Sequence, residues 1–332
     1  MKILVTGGGG FLGGAIVRLL RQRGDDVRSF TRSVYPWLVE HDVEQTLGDL
    51  ADAEAVHRAV EGCDAVIHTA AKAGVWGRYA DYVATNVKGT ENVLTACKAL
   101  GVRKLVYTST PSVVHAGGDY AGVNESIPYA KHFDAIYPET KAIAERKVIA
   151  ANGPSFATVS LRPHLIWGPG DPHLVPRILA RARAGKLRKI GKHNVTVDVT
   201  YVDNAAEAHV LAVDRLSPES ALAGKVYFLS NGEPIDQWKF INRILAEAGL
   251  PPVTRSVPIW VARLAGLVLE RTYRILHLAG EPSMTRFVAS QMSTSHWYDI
   301  SAAKRDLGYE PRVSVEEGLK RLGESFRREK SD

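Results

Sequence analysis

With 332 residues, 45% of them hydrophobic and 23% charged, the chain has the make-up of a globular protein with enough length for one large core or two modest ones. Two cysteines, Cys63 and Cys97, exclude a disulfide framework, and no uncharged apolar run is long enough to commit a helix to spanning a bilayer. The formal charge of +6 owes much to the basic run over 177–192, but neither interleaved aromatics nor a recognition motif accompanies it, so it reads as a solvated helix face and not as a nucleic-acid site.

In chain order, Met1-Lys2 lead straight into Ile3-Leu4-Val5, a first core strand with no room before it for a secretory signal, and a cytoplasmic location is expected. β-branched runs predict strands at 3–6, 27–31, 65–69, 104–109 and 158–162. Apolar residues at helical spacing predict helices between them, over 11–23, 53–61, 82–100 and 137–151. Strict alternation of this kind implies an α/β fold with a doubly wound parallel sheet, whose ligands bind at the carboxyl ends of the strands. Beyond Arg162 the pattern is broken by Pro163, Pro169, Pro172 and Pro176, and residues 225–230 read as a buried strand that rejoins the main sheet.

Thr6-Gly7-Gly8-Gly9-Gly10-Phe11-Leu12-Gly13 follows the first strand and opens the first helix. Glycine lets the chain turn sharply there and bring backbone N–H groups against a pyrophosphate, whose charge the helix N-terminus favours. The position between strand and helix marks a Rossmann-type dinucleotide loop, with Gly7, Gly10, Phe11, Leu12 and Gly13 as its contacts. An NAD-preferring protein would carry Asp or Glu at the end of the second strand, whereas this chain carries Phe30-Thr31-Arg32-Ser33. Arg32 suits a 2′-phosphate and Thr31 or Ser33 a hydrogen bond to it, which predicts NADP(H) over NAD(H). The expected division is a dinucleotide-binding domain over 1–165, rejoined by 195–230, and a smaller interleaved substrate-binding part from 166–194 and 231–332.

Tyr137-Pro138-Glu139-Thr140-Lys141 places a proline in the first turn of a helix and a lysine one turn beyond the tyrosine, on the same face. A nearby ammonium and the helix N-terminus predict a lowered phenol pKa, suited to exchanging a proton with an alkoxide. Together with Tyr107-Thr108-Ser109-Thr110, Leu161-Arg162-Pro163 and Val199-Thr200-Tyr201-Val202-Asp203-Asn204, these motifs resemble the extended short-chain dehydrogenase/reductase family over nearly the whole chain. The run from Leu161 to Pro172 and the segment over 280–298 resemble its 3β-hydroxysteroid dehydrogenase-like branch. The resemblance implies an NAD(P)-dependent oxidoreductase in which Tyr137 and Lys141 are catalytic and Thr110 polarises the substrate carbonyl. It further implies that Asp49 and Leu50 hold the adenine edge, that Ala70 runs beside the nicotinamide ribose, that Asn86 supports the active-site helix, and that two helices pair in a homodimer.

The branch and the Arg32 signature together imply reduction of the 3-keto group of a long-chain 2-alkyl-3-oxo acid. Oxidation of a 3β-hydroxysteroid or sterol 4-carboxylate, nucleotide-sugar epimerisation and a non-catalytic dinucleotide sensor remain alternatives. A β-keto or β-hydroxy acid requires a cation, and Lys72, His164, Arg177 and Arg286 are candidates, with His164 foremost. It also requires an apolar channel. The stretch over 258–270, followed by Arg271, Tyr273 and Arg274, reads as a lid, as a helix lying on an anionic membrane, or as a buried helix. No metal site is expected.

Overall fold

The apolar run Ile3-Leu4-Val5 forms the heart of a strand, Lys2–Thr6, that lies between Ala65–His68 and Asp26–Thr31 in a seven-stranded sheet. In the computed structural model, which describes residues 1–329, the sheet order is Val226–Leu229, Ala157–Pro163, Lys104–Thr108, Ala65–His68, Lys2–Thr6, Asp26–Thr31, Glu44–Leu47, and every pairing is parallel. Both faces are covered, which is why the strands read as continuous apolar runs. Ile3 and Val5 enter one core with Ile16, Val17 and Leu20 of the Phe11–Gln22 helix, while Leu4 enters another with Val56, Val93 and Leu105.

The chain builds outward from Lys2–Thr6 in one direction, returns, and builds outward in the other. The crevice at the carboxyl ends of Lys2–Thr6 and Ala65–His68 is therefore the switch point where ligands of such sheets bind. The late strand foreseen over 225–230 does rejoin the sheet, pairing Val226–Leu229 in parallel with Ala157–Pro163.

A second sheet gathers Ile235–Asp236, Thr196–Val197, His296–Tyr298 and Tyr120–Val123. Ile166–Trp167 pairs with Thr200–Tyr201, and Lys189–Ile190 with Ser256–Val257. One predicted helix differs in form. The run foreseen over 82–100 begins at Tyr79 and winds as a π-helix over Val83–Lys88 before the α-helix Gly89–Ala99. A π-turn is a single wider turn within an otherwise α-helical run, and apolar spacing alone does not distinguish it. Both cysteines are free and buried, and no helix among the described residues is long and apolar enough to cross a membrane.

Candidate active site

A cavity of about 850 Å³ opens at the switch point. Gly7, Gly10, Phe11, Leu12, Gly13, Thr31, Arg32, Asp49, Leu50, Ala70, Thr110 and Tyr137 all line it. Of the residues predicted to be catalytic or to contact the dinucleotide, Lys141 alone lies behind the wall.

The glycine loop admits no side chains. Gly7 has φ +74°, and a Cβ on Gly13 would stand 2.1 Å from the Gly7 carbonyl oxygen. No side chain caps the Phe11–Gln22 helix, and no acidic residue occupies its first turn. Its N–H groups and the positive end of its dipole are left for an anion, so the cradle fits a dinucleotide pyrophosphate. Tyr35, which sequence reasoning missed, closes the loop from outside: a Cβ on Gly9 would meet its ring at 2.3 Å. Gly9, the third glycine of the run and not among its predicted contacts, was the local hint of that contact.

At the end of Asp26–Thr31, Arg32 is exposed and has no ion-pair partner among the described residues. Thr31 is less available than foreseen, because its hydroxyl already donates to the Ser33 carbonyl at 2.9 Å. The Asp49 carboxylate is steadied by the Ala51 N–H at 2.8 Å, and the Leu50 carbonyl accepts from Asn92 at 2.8 Å.

Tyr137 is the second residue of the helix Ile136–Ala151 and stands half-buried in the cavity wall. Its phenol departs from the sequence expectation. Burial, with Tyr82 nearby as a second cause, pushes the pKa up to about 12 instead of lowering it. The lysine does not reverse this, because burial brings Lys141 itself down to about 7. The Lys141 ammonium instead donates to the Thr108 carbonyl at 2.5 Å and sits 4.0 Å from the Tyr107 ring centroid. At neutral pH the phenol is thus protonated, the form that donates.

Thr110 stands at the end of the neighbouring strand, where its hydroxyl accepts from the Ser112 N–H and donates to Ser112 Oγ, both at 3.2 Å. Ser109 Oγ beside it is buried without a partner. Asn86, within the π-turn, accepts from the Lys72 N–H at 2.7 Å and donates to the Lys72 carbonyl and to Thr140 Oγ1, each at 3.1 Å. It ties the loop after Ala65–His68 to the tyrosine helix. His68, which sequence reasoning missed, joins Thr6 at 2.7 Å to Thr90 at 3.1 Å, and burial keeps it neutral.

Of the four cations considered for a carboxylate, only Lys72 lines the cavity, loosely paired with Asp81 at 3.9 Å. His164 turns away from it. Leu165, at φ +43°, reverses the chain so that Leu165 faces the cavity while the imidazole packs against His296 and Tyr298 and is held neutral by burial. Arg177 pairs with Glu281, and Arg286 with Glu270. Among the described residues no cluster capable of holding a metal ion is present.

Comparison with known proteins accords with this geometry. The family model described as the 3-beta hydroxysteroid dehydrogenase/isomerase family matches residues 4–259. The chain is 54% identical to the 2-alkyl-3-oxoalkanoate reductase of Stenotrophomonas maltophilia (strain K279a), covering 97% of this chain and 98% of the relative. It is 34% identical to the mouse (Mus musculus) sterol-4-alpha-carboxylate 3-dehydrogenase, decarboxylating, covering all of this chain and 92% of that one. Among solved structures, the Thermus thermophilus UDP-glucose 4-epimerase in complex with NAD superposes with a TM-score of 0.75 at 26% identity, over 98% of this chain and 99% of the other. The family match spans most of the chain and both relatives align along nearly all of it: the protein belongs to the 3-beta hydroxysteroid dehydrogenase/isomerase family.

Proposed function

We propose that the protein reduces the 3-keto group of a long-chain 2-alkyl-3-oxoalkanoic acid to the 3-hydroxy acid, with NADPH as the reductant. The observation that carries this reading is the continuity of one cavity from the glycine loop to a protonated Tyr137. The glycine loop and Arg32 would hold the dinucleotide, which when bound would supply a hydride for the carbonyl carbon. Tyr137 delivers its phenolic proton to the carbonyl oxygen as that oxygen takes up charge. Thr110 is the second donor to that oxygen, releasing Ser112 Oγ to serve it. Lys141 holds the Thr108 carbonyl and so fixes the strand end that carries Thr110.

Arg32, exposed and unpaired at the adenosine end, supports the phosphorylated dinucleotide. Lys72 supports a carboxylated substrate, because it is the one cation of the four considered that lines the cavity. Reduction also has a chemical logic for such a molecule. A β-keto acid loses carbon dioxide readily, whereas the β-hydroxy acid keeps its carboxylate. The segments 166–194 and 231–332 are proposed as the substrate side, residues 330–332 lying outside the described residues. Two copies are proposed to pair through the Gly89–Ala99 and Ile136–Ala151 helices, to be checked by light scattering.

The test is oxidation of NADPH against a panel of 2-alkyl-3-keto acids, 3-ketosteroids and nucleotide sugars, repeated with NADH. Preferential turnover of the keto acids with NADPH is expected. Faster turnover of either other class, or a clear NADH preference, overturns the corresponding half of the assignment.

A further inference from the structure

The helix Ile259–Ile275 is anchored by one side only. A Cβ on Gly266 would lie 2.7 Å from the Thr285 backbone, and the buried Glu270 accepts from the Arg286 N–H at 2.7 Å and its guanidinium at 2.9 Å. Ala262, Gly266 and Glu270, spaced one turn apart, complete that inner side. The opposite side is open: Trp260 is 68% exposed, Leu264 52%, Val268 54% and Ile275 75%, and the stripe runs on to exposed Leu276 and Leu278. Exposed apolar residues scattered singly need no explanation, but a stripe at helical spacing marks an interaction surface.

Its charges say which kind. Arg263 and Arg271 are both exposed, Arg271 within the apolar stripe and Arg263 on the flank beside the inner side, and neither has an ion-pair partner among the described residues. Arg274 lies over the Trp76 ring at 5.4 Å. The single acidic residue of the helix is Glu270, already paired with Arg286. A second copy docked face to face would bring two sets of unpaired guanidinium groups together with no free acidic residue on either helix to meet them. A bilayer with anionic headgroups takes both parts at once: the apolar side chains enter the acyl boundary and the arginines stay with the phosphates.

We propose that this helix docks the protein on anionic membrane surfaces, lying in the interface without crossing it. The location gives the docking a use. Trp76, which meets Tyr273 with ring centroids 6.2 Å apart, belongs to the loop that follows the cavity-lining Ala71, Lys72 and Ala73. The docking helix, through its inner side, and the cavity rim thus share a contact, which sets the docked face close to the mouth a long-chain acid dissolved in the membrane would enter. The docking itself does not depend on the substrate assignment.

The experiment is flotation of the full chain with phosphatidylglycerol-containing vesicles and with pure phosphatidylcholine vesicles. Two variants accompany it, Trp260→Ser with Leu264→Ser and Arg263→Glu with Arg271→Glu, both checked for an unchanged melting temperature. Binding to anionic vesicles that weakens about tenfold or more in either variant, on phosphatidylcholine, or in high salt is the expected result. Absence of binding by the parent protein overturns the proposal, as does binding that neither variant alters. Self-association of the parent that the variants abolish, without vesicle binding, reassigns the face to a second copy.

Discussion

The Arg162 guanidinium grips the Glu145 carboxylate with two prongs, at 3.0 and 2.5 Å, in a place neither side chain shares with water. Glu145 lies one turn beyond Lys141 on the tyrosine helix, and Arg162 lies on the strand that runs to the cavity at Pro163. The pair therefore sets the helix against the sheet. Removing one partner strands the other charge, and one Arg162 nitrogen already lacks a partner. Glu145→Ala is expected to cost about 3–5 kcal/mol in denaturant unfolding. Glu145→Ala combined with Arg162→Met is expected to recover much of that loss, because the double variant leaves no buried charge.

Tyr137→Phe is expected to lower kcat by about 10²–10⁴-fold with little change in dinucleotide affinity, since it removes a proton donor and leaves the cradle intact. The phenol's pKa of about 12 also gives the two directions different pH profiles. Reduction uses the protonated phenol and is expected to keep it throughout pH 6–9. Oxidation uses the phenolate, so its rate is expected to rise with pH across the same range. Steady-state profiles in both directions test this, and an oxidation rate that is flat with pH contradicts the assignment.

Burial of Lys141 works against the free protein's stability. Its folded pKa of about 7 lies below the value of about 10.4 for an unfolded lysine, so between these values the unfolded chain binds more protons and stability rises with pH. Below the folded value the whole penalty applies. Lys141→Met is accordingly expected to melt above the parent at pH 6, with the gap narrowing as pH rises from 7 toward 10.

Arg32→Ala is expected to raise the KM for NADPH by about 10–100-fold, the range for losing one hydrogen bond to a charged group, and to leave the KM for NADH nearly unchanged. An equal effect on both cofactors removes Arg32 from 2′-phosphate recognition.

Lys72→Met separates a carboxylate partner from a residue that merely lines the wall. The KM for keto acids is expected to rise by about tenfold or more, while that for the corresponding methyl esters stays put. Equal losses for acid and ester contradict the carboxylate role.

The glycine loop and the Tyr137–Lys141 pair were legible in the sequence because each is local: a strand, a turn and a helix start fall within a few residues of one another. The late strand was legible too, since Val226-Tyr227-Phe228-Leu229 carries its own apolar signal. The phenol's environment was not, because burial by the folded chain raises it, and the second cause, Tyr82, is brought near from a part of the chain distant in sequence. The direction of His164 was equally hidden. It depends on the left-handed backbone of Leu165, which a leucine does not advertise. The second sheet escaped notice because its strands are two to four residues long, too short for alternation to show.

The late arrival of Val226–Leu229 has a consequence for biosynthesis. Until the ribosome has delivered those residues, Ala157–Pro163 is the outermost strand of the sheet, with every one of its side chains destined for burial and one row of backbone groups unpaired. A nascent chain stalled between 165 and 225 therefore carries the whole dinucleotide loop and the tyrosine helix beside an adhesive edge. Shortened versions that stop there are expected to aggregate despite containing the chemistry.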